Sequence, residues 1–274
     1  MENRLRAAFP DGSVLHAATL RRAARRAKLY AIFLTPRSGS TWLTELAIAS
    51  GRLGAPQEWF NDGWIYEDRP ALGCKPPRLR GTAEINAYVN AIIDEGQGVA
   101  GIQLSCFQAA MLAELIEPEF DPTCLTTCFY LRRRDICAQA VSLYRSVESA
   151  LFHSYEATPE RQAAFAAVPY DTEKLIHWTE FLLESEARFD ALFKAAGLSP
   201  TPIFYEDLIA DPLRVLGHIA ANLAITPPDV LPNTVLIPLR DEKSAVWVDR
   251  LRHALPQDLQ TKLAARTSHP VNPA

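Results

Sequence analysis

Four short segments rich in apolar or β-branched residues punctuate the chain: Leu29 to Leu34, Val99 to Leu104, Cys124 to Leu131 and Pro202 to Tyr205. Between them, apolar residues recur at helical spacing over Ser40 to Ser50, Ala83 to Asp94, Phe107 to Ile116, Ile136 to Leu151, Thr172 to Ala196 and Leu213 to Leu223, several closing near Gly or Pro. Strands alternating with helices predict right-handed crossovers and an α/β fold whose central, mostly parallel sheet is covered by helices on both faces. No internal repeat, low-complexity tract or Gly/Ser linker divides the sequence, so one continuous domain over residues 1–274 is expected. Ligands of such sheets gather at the carboxyl ends of the strands, which directs attention to the loops beginning at Thr35, Ser105, Arg132 and Glu206.

Charge narrows the partners. With 28 Lys+Arg against 32 Asp+Glu the net charge is −4, so nothing global attracts nucleic acid or anionic lipid, and a polyanion must meet a local Arg cluster. A small-molecule ligand is the expectation. No apolar run approaches the roughly 18 to 20 residues of a membrane-spanning helix, and the start of the chain lacks an apolar signal core. Its basic run, Arg21, Arg22, Arg25 and Arg26, reads as the solvated face of a short helix in a basic extension over 1–28, and a cytoplasmic protein is expected. Cys74, Cys106, Cys124, Cys128 and Cys137 show no zinc-type spacing, and the six His are scattered, so neither disulfides nor a metal is assigned.

The first strand runs into Thr35-Pro36-Arg37-Ser38-Gly39-Ser40-Thr41, a small-residue turn at a helix start. Gly39 lets backbone approach an anion, the helix N-terminus points N–H groups inward, Ser38, Ser40 and Thr41 add hydroxyls, and Arg37 adds charge. A plain capped turn is an equal alternative. The Walker A pattern with its Lys is missing, which weighs against an ATPase or conventional kinase. The third strand ends in Arg132-Arg133-Arg134-Asp135. Alternation along a strand turns Arg133 away from Arg132 and Arg134 and sends at least one of the three to the crevice, unless the run is a solvated basic patch. Asp135 suits a helix cap. Ser142, two turns along, offers a hydroxyl for a phosphate. Two anion sites on neighbouring loops fit a nucleotide phosphorylated at both ends of its ribose.

Thr35 to Leu43 (TPRSGSTWL), Ala55 to Phe60 (APQEWF), Tyr130 to Ser146, Phe204 to Pro212 (FYEDLIADP) and, more weakly, Arg240 to Arg252 together resemble the bacterial carbohydrate sulfotransferases that use 3′-phosphoadenosine 5′-phosphosulfate (PAPS). The resemblance implies a P-loop-like three-layer fold, with Arg37, Ser38, Gly39, Ser40 and Thr41 around the 5′-phosphosulfate. It implies that Ser142 and one of the arginines hold the 3′-phosphate. The family's gap of seven residues points to Arg134, with Arg133 retained, and Arg240 and Lys243 are further nucleotide contacts. Glu58 matches the family's general base and Arg37 neutralises charge on the transferred group, without a metal. The implied acceptor is a hydroxyl of a carbohydrate or glycolipid, and relatives often form homodimers. Gln103 stands where family members often carry Lys. A P-loop small-molecule kinase and a catalytically inactive nucleotide-binding protein are the alternatives. Trp59, Phe60, Trp64 and Tyr66 serve either as an aromatic floor for a sugar or as core, and Tyr205-Glu206-Asp207 as a brace at a strand end.

Overall fold

A computed structural model of the chain describes residues 8–9, 13–61, 84–117, 127–236, 239 and 241–267. Helix α1 (Ala17–Arg26) leads into strand β1 (Lys28–Leu34) and helix α2 (Ser40–Ala49). Helix α3 (Ile85–Glu95), strand β2 (Val99–Leu104), helix α4 (Cys106–Ala113), strand β3 (Thr127–Arg132) and helix α5 (Ile136–Ser149) follow. Then come α6 (Pro159–Ala167), α7 (Thr172–Ala196), β4 (Thr201–Phe204), α8 (Tyr205–Ala210), α9 (Pro212–Asn222), α10 (Glu242–Ala254) and α11 (Gln257–Thr267).

The four strands form one parallel sheet in the order β2-β1-β3-β4. Side chains of a strand alternate between faces, and β1 shows what each face meets. Ala31 and Phe33 join Tyr88, Ile92, Phe189 and Phe193 in one cluster, while Ile32 and Leu34 join Leu43, Leu46, Leu216 and Ile219 in the other. The sheet is thus the middle of three layers, as the alternation of elements predicts. A third cluster gathers Tyr144 of α5, Leu175 and Leu182 of α7, and Trp247 and Leu251 of α10.

Local chemistry explains where elements begin and end. Asp171 caps the first turn of α7 through Lys174 N, and Gly197 closes it at φ +63°, so its 25 residues match the expected Thr172 to Ala196. Its buried positions, Leu175, Thr179, Leu182, Glu186, Phe189 and Phe193, trace one stripe along the helix. In α1, Leu20 and Ala23 are buried while Arg21, Arg22, Arg25 and Arg26 are exposed. Strand β4 stops one residue short of the expected Tyr205, because Glu206 and Asp207 supply the acidic first turn of α8. The start of the expected third strand, Cys124 to Thr126, lies outside the described residues, as do Cys74, Trp64, Tyr66, Arg240 and His269.

Because β1 pairs directly with β3, Leu34 opposite Leu131, the loops that leave both carboxyl ends are neighbours. From β1 the chain passes to β2 on one side and then crosses back to β3 on the other, and a crevice opens at such a reversal of strand order.

Candidate active site

A cleft of about 980 Å³ opens at these strand ends, lined in part by Arg37, Gly39, Ser40, Thr41, Glu58, Arg133 and Ser142. The turn after β1 reaches it through a backbone few residues adopt. Arg37 sits at φ +64° and Gly39 at φ +91°. A Cβ on Gly39 would lie 2.5 Å from the ring of Tyr205, so backbone conformation and packing both demand glycine. No side chain caps α2 at Gly39, which leaves the first-turn N–H groups and the positive end of the helix dipole available to an anion. Ser38 is fully buried, and its Oγ has no hydrogen-bond partner among the described residues.

Arg37 Nε donates to Ser142 Oγ at 3.0 Å, and its Nη1 donates to the carbonyl of Phe152. Burial, and then the positive charge of Arg133, pull its guanidinium down to about 10 from an ordinary 12.5, against smaller opposing effects of Tyr205 and Glu156. It is still charged at neutral pH. Two cations held close together in a partly desolvated cleft form a site whose energy falls when an anion enters.

The three arginines after Leu131 take three directions. Arg132 pairs with buried Glu186 at 2.6 Å. Arg134 is exposed; its guanidinium grips both oxygens of Asp207 at 2.9 and 2.7 Å and lies 4.1 Å from the centroid of the Phe204 ring. Arg133 lines the cleft, 4.5 Å from the centroid of the Tyr205 ring. Glu206 accepts from Arg134 N and Asp135 N, so Tyr205-Glu206-Asp207 braces the strand end. Asp135 caps α5 through Ala138 N at 2.9 Å.

Glu58 reaches the cleft along the outer edge of the sheet. Gln57 bridges to Ile102, Gln103 N donates to Gln57 O at 2.8 Å, and Trp59 Nε1 donates to Gly101 O at 3.2 Å. Gly101 permits this approach, since a Cβ there would sit 2.7 Å from Pro56 and closer still to Tyr30. Trp59 and Phe60 are therefore core. Glu58 Oε2 accepts from Gln108 Nε2 at 3.0 Å and Asn61 Nδ2 at 3.2 Å. Gln108 also closes the capping box of α4 with Ser105, so the start of that helix holds the carboxylate in place. Gln103 is buried behind the first turn of α2 and donates to Ser40 O at 3.1 Å and Thr44 Oγ1 at 2.7 Å.

Helix α10 forms a further wall, with Asp241, Ser244, Val248 and Arg252 on the cleft. Lys243 turns elsewhere: its Nζ donates to Ala166 O at 2.7 Å and Val168 O at 2.9 Å. Gln108 carries no motif signal that marks it from sequence, while the sequence assigns Tyr205 only a bracing role and Asp241 only a place within the weak match over Arg240 to Arg252. Their contacts here become visible only when residues far apart in the chain are brought together.

The parallel sheet thus carries, on one cleft at its strand ends, a glycine-shaped turn with an uncapped helix start and a carboxylate held by Gln108 and Asn61. Residues 29–254 match the family model described as Stf0 sulphotransferase, and the chain belongs to that family. It is similar to the trehalose 2-sulfotransferase of Mycolicibacterium smegmatis, 25% identical over 264 residues that cover 84% of this chain and 96% of that protein. The trehalose 2-sulfotransferase of Mycobacterium tuberculosis is 26% identical over 269 residues, covering 85% and 97%. Among solved structures, the sulfotransferase domain from the Synechococcus PCC 7002 olefin synthase shares the fold, with a TM-score of 0.50 at 14% identity over 95% of this chain and 98% of that one. Among the described residues no helix is long and apolar enough to cross a membrane, and no group of three His, Cys, Asp or Glu is placed to hold a metal ion.

Proposed function

We propose that the protein moves a sulfuryl group from PAPS to a hydroxyl of a carbohydrate or glycolipid acceptor. The observation that carries this reading is the convergence of Arg37, Arg133, Ser142 and Glu58 on one cleft of about 980 Å³, a size suited to a nucleotide together with a small acceptor. The uncapped start of α2, the buried hydroxyl of Ser38 and the buried charge of Arg37 beside that of Arg133 fit the donor's anionic groups. When bound, PAPS supplies the sulfuryl group and an adenosine bisphosphate leaving group.

The chain's own residues then have distinct tasks. Arg37 and the backbone from Ser38 to Thr41 hold the 5′ end and stabilise charge that grows on the transferred group. Ser142 and Arg133 hold the 3′-phosphate. Arg133 is preferred over Arg134 because Arg134 is committed to Asp207 outside the cleft. Glu58 accepts the proton of the attacking hydroxyl. Both of its hydrogen bonds fall on Oε2, and among the described residues none engages Oε1. Arg240, next to cleft-lining Asp241, remains a proposed nucleotide contact, whereas the carbonyls held by Lys243 favour a role in anchoring α10. The sugar named in the two trehalose 2-sulfotransferases supports a carbohydrate acceptor. The proposal extends to a single cytoplasmic domain, a homodimer, and turnover that survives chelation of metals.

Calorimetry with 3′-phosphoadenosine 5′-phosphate, followed by sulfate transfer from PAPS across a sugar panel that includes trehalose, tests this. Micromolar binding and transfer to at least one sugar are expected. Binding without transfer to any acceptor overturns the carbohydrate transferase reading.

A further inference from the structure

The turn that carries Arg133 is clamped in an unusual way. Glu206 accepts the N–H groups of Arg134 and Asp135. The carbonyls of those same two peptide groups, Arg133 O and Arg134 O, both accept from the guanidinium of Arg266, the second at 2.9 Å. Two consecutive peptide planes are therefore gripped at both ends by opposite charges, which fixes the direction in which the Arg133 side chain leaves the backbone.

Arg266 is itself held. Its Nε and Nη2 reach the two oxygens of Glu186 at 2.6 and 2.9 Å, and the two side chains are only 10% and 5% exposed. A planar fork with five donors satisfies a carboxylate and two carbonyls together; an ammonium has three donors on one atom and cannot span them. Glu186 already has a partner in Arg132, so neutralising its charge does not by itself require Arg266. The residue lies in α11, beyond the segment 29–254 that matches the family.

We infer that Arg266 is a positioning residue for nucleotide recognition: through the carbonyls of Arg133 and Arg134 it presents the Arg133 guanidinium to the 3′-phosphate. This rests on the role given to Arg133 above. Arg132 and Arg134 are drawn off to Glu186 and Asp207, and the clamp aims the middle arginine of the run into the cleft, over the ring of Tyr205.

The test compares 3′-phosphoadenosine 5′-phosphate with adenosine 5′-phosphate by calorimetry on the full chain. In Arg266→Met the preference for the 3′-phosphorylated nucleotide is expected to fall about tenfold, the scale of one charge-assisted contact, with adenosine 5′-phosphate affinity within about twofold. Arg133→Ala should reduce the same preference at least as much, and adding Arg266→Met to it should change nothing further, because the positioned group is gone. Should Arg266→Met not fold, Arg266→Lys, which keeps a charge beside Glu186, is expected to give the same loss of preference. If Arg133→Ala lowers the preference while the folded Arg266 variant does not, or weakens both nucleotides alike, the positioning inference falls and the functional reading stands. If Arg133→Ala leaves the preference intact, the 3′-phosphate assignment fails and takes this inference with it.

Discussion

Arg37 and Ser142, 105 residues apart, are joined by a 3.0 Å hydrogen bond from Nε to Oγ. That bond unites the loop after β1 with helix α5, the two places where the sequence suggests an anion. A hydroxyl accepts and donates at once, so Ser142 can keep the guanidinium while offering its own proton to a phosphate oxygen. Replacing Ser142 with Ala removes both. Affinity for 3′-phosphoadenosine 5′-phosphate is expected to fall about tenfold, with stability changed by no more than about 1 kcal/mol for a partly exposed hydroxyl. Calorimetry and urea unfolding read the two effects separately, and unchanged affinity removes Ser142 from the site.

Glu58→Gln should separate binding from turnover. The side chain keeps its shape and its place beside Gln108 and Asn61 but can no longer take a proton. Turnover is expected to drop by about 10² to 10⁴, the usual worth of a general base, while calorimetry finds nucleotide affinity preserved. Equal turnover in the variant would exclude Glu58 as the base.

Gly39→Ala alters the turn after β1 without touching charge. An L-residue at φ +91° costs about 1–2 kcal/mol, and the new methyl would collide with the Tyr205 ring on which Arg133 also rests. Loss of stability is therefore expected together with weaker nucleotide binding. A variant as stable and as tight as the parent contradicts the geometry of this turn.

Much of this arrangement is legible along the chain, for identifiable reasons. The strands and the long helix α7 announce themselves by apolar period and by end signals such as Asp171 and Gly197. The turn Arg37 to Thr41 and the serine two turns into α5 are local patterns, and the structure puts them on one cleft. What escapes is everything set by distant partners. Helix α6 has no buried residue and so no apolar stripe to betray it. The spacing that favours Arg134 says nothing of Asp207, 73 residues away, which takes up its guanidinium. Nor does any local signal tie Gln103 to the first turn of α2, where its two hydrogen bonds serve the start of the helix rather than the cleft.

Asp241→Asn probes the wall formed by α10. Asp241 caps that helix through Ser244 N and binds both terminal nitrogens of Arg145, at 2.6 and 3.0 Å. Arg145 is fully buried between the rings of Phe165 and Trp247, and its charge holds the Asp241 carboxyl well below the usual range. Removing the carboxylate leaves a buried guanidinium without its counter-charge, a change of about 3 kcal/mol, discounted because Asp241 itself is part-exposed. Urea unfolding should show a loss of about 1–3 kcal/mol, and the Michaelis constant for the nucleotide should rise as the cleft wall loosens. A stable variant with unaltered kinetics removes this pair from the support of the site.

The acid limb of stability should report Glu186. Burial alone would push its carboxyl up, but the guanidiniums of Arg266 and Arg132 outweigh burial and hold it below the ordinary 4.5. A depressed folded value means that the folded state binds its proton less readily than the unfolded chain does. The stabilisation is therefore complete above about pH 4.5 and drains away as pH falls through the lower, folded value. Glu186→Gln abolishes this contribution and leaves two arginines facing a neutral amide, so a loss of about 3 kcal/mol is expected at neutral pH. The gap between parent and variant should narrow as the parent's carboxylate becomes protonated. Urea midpoints measured from pH 7 down to pH 3 give the comparison, and two curves that run parallel over that range would show that this carboxylate is not what acid titrates.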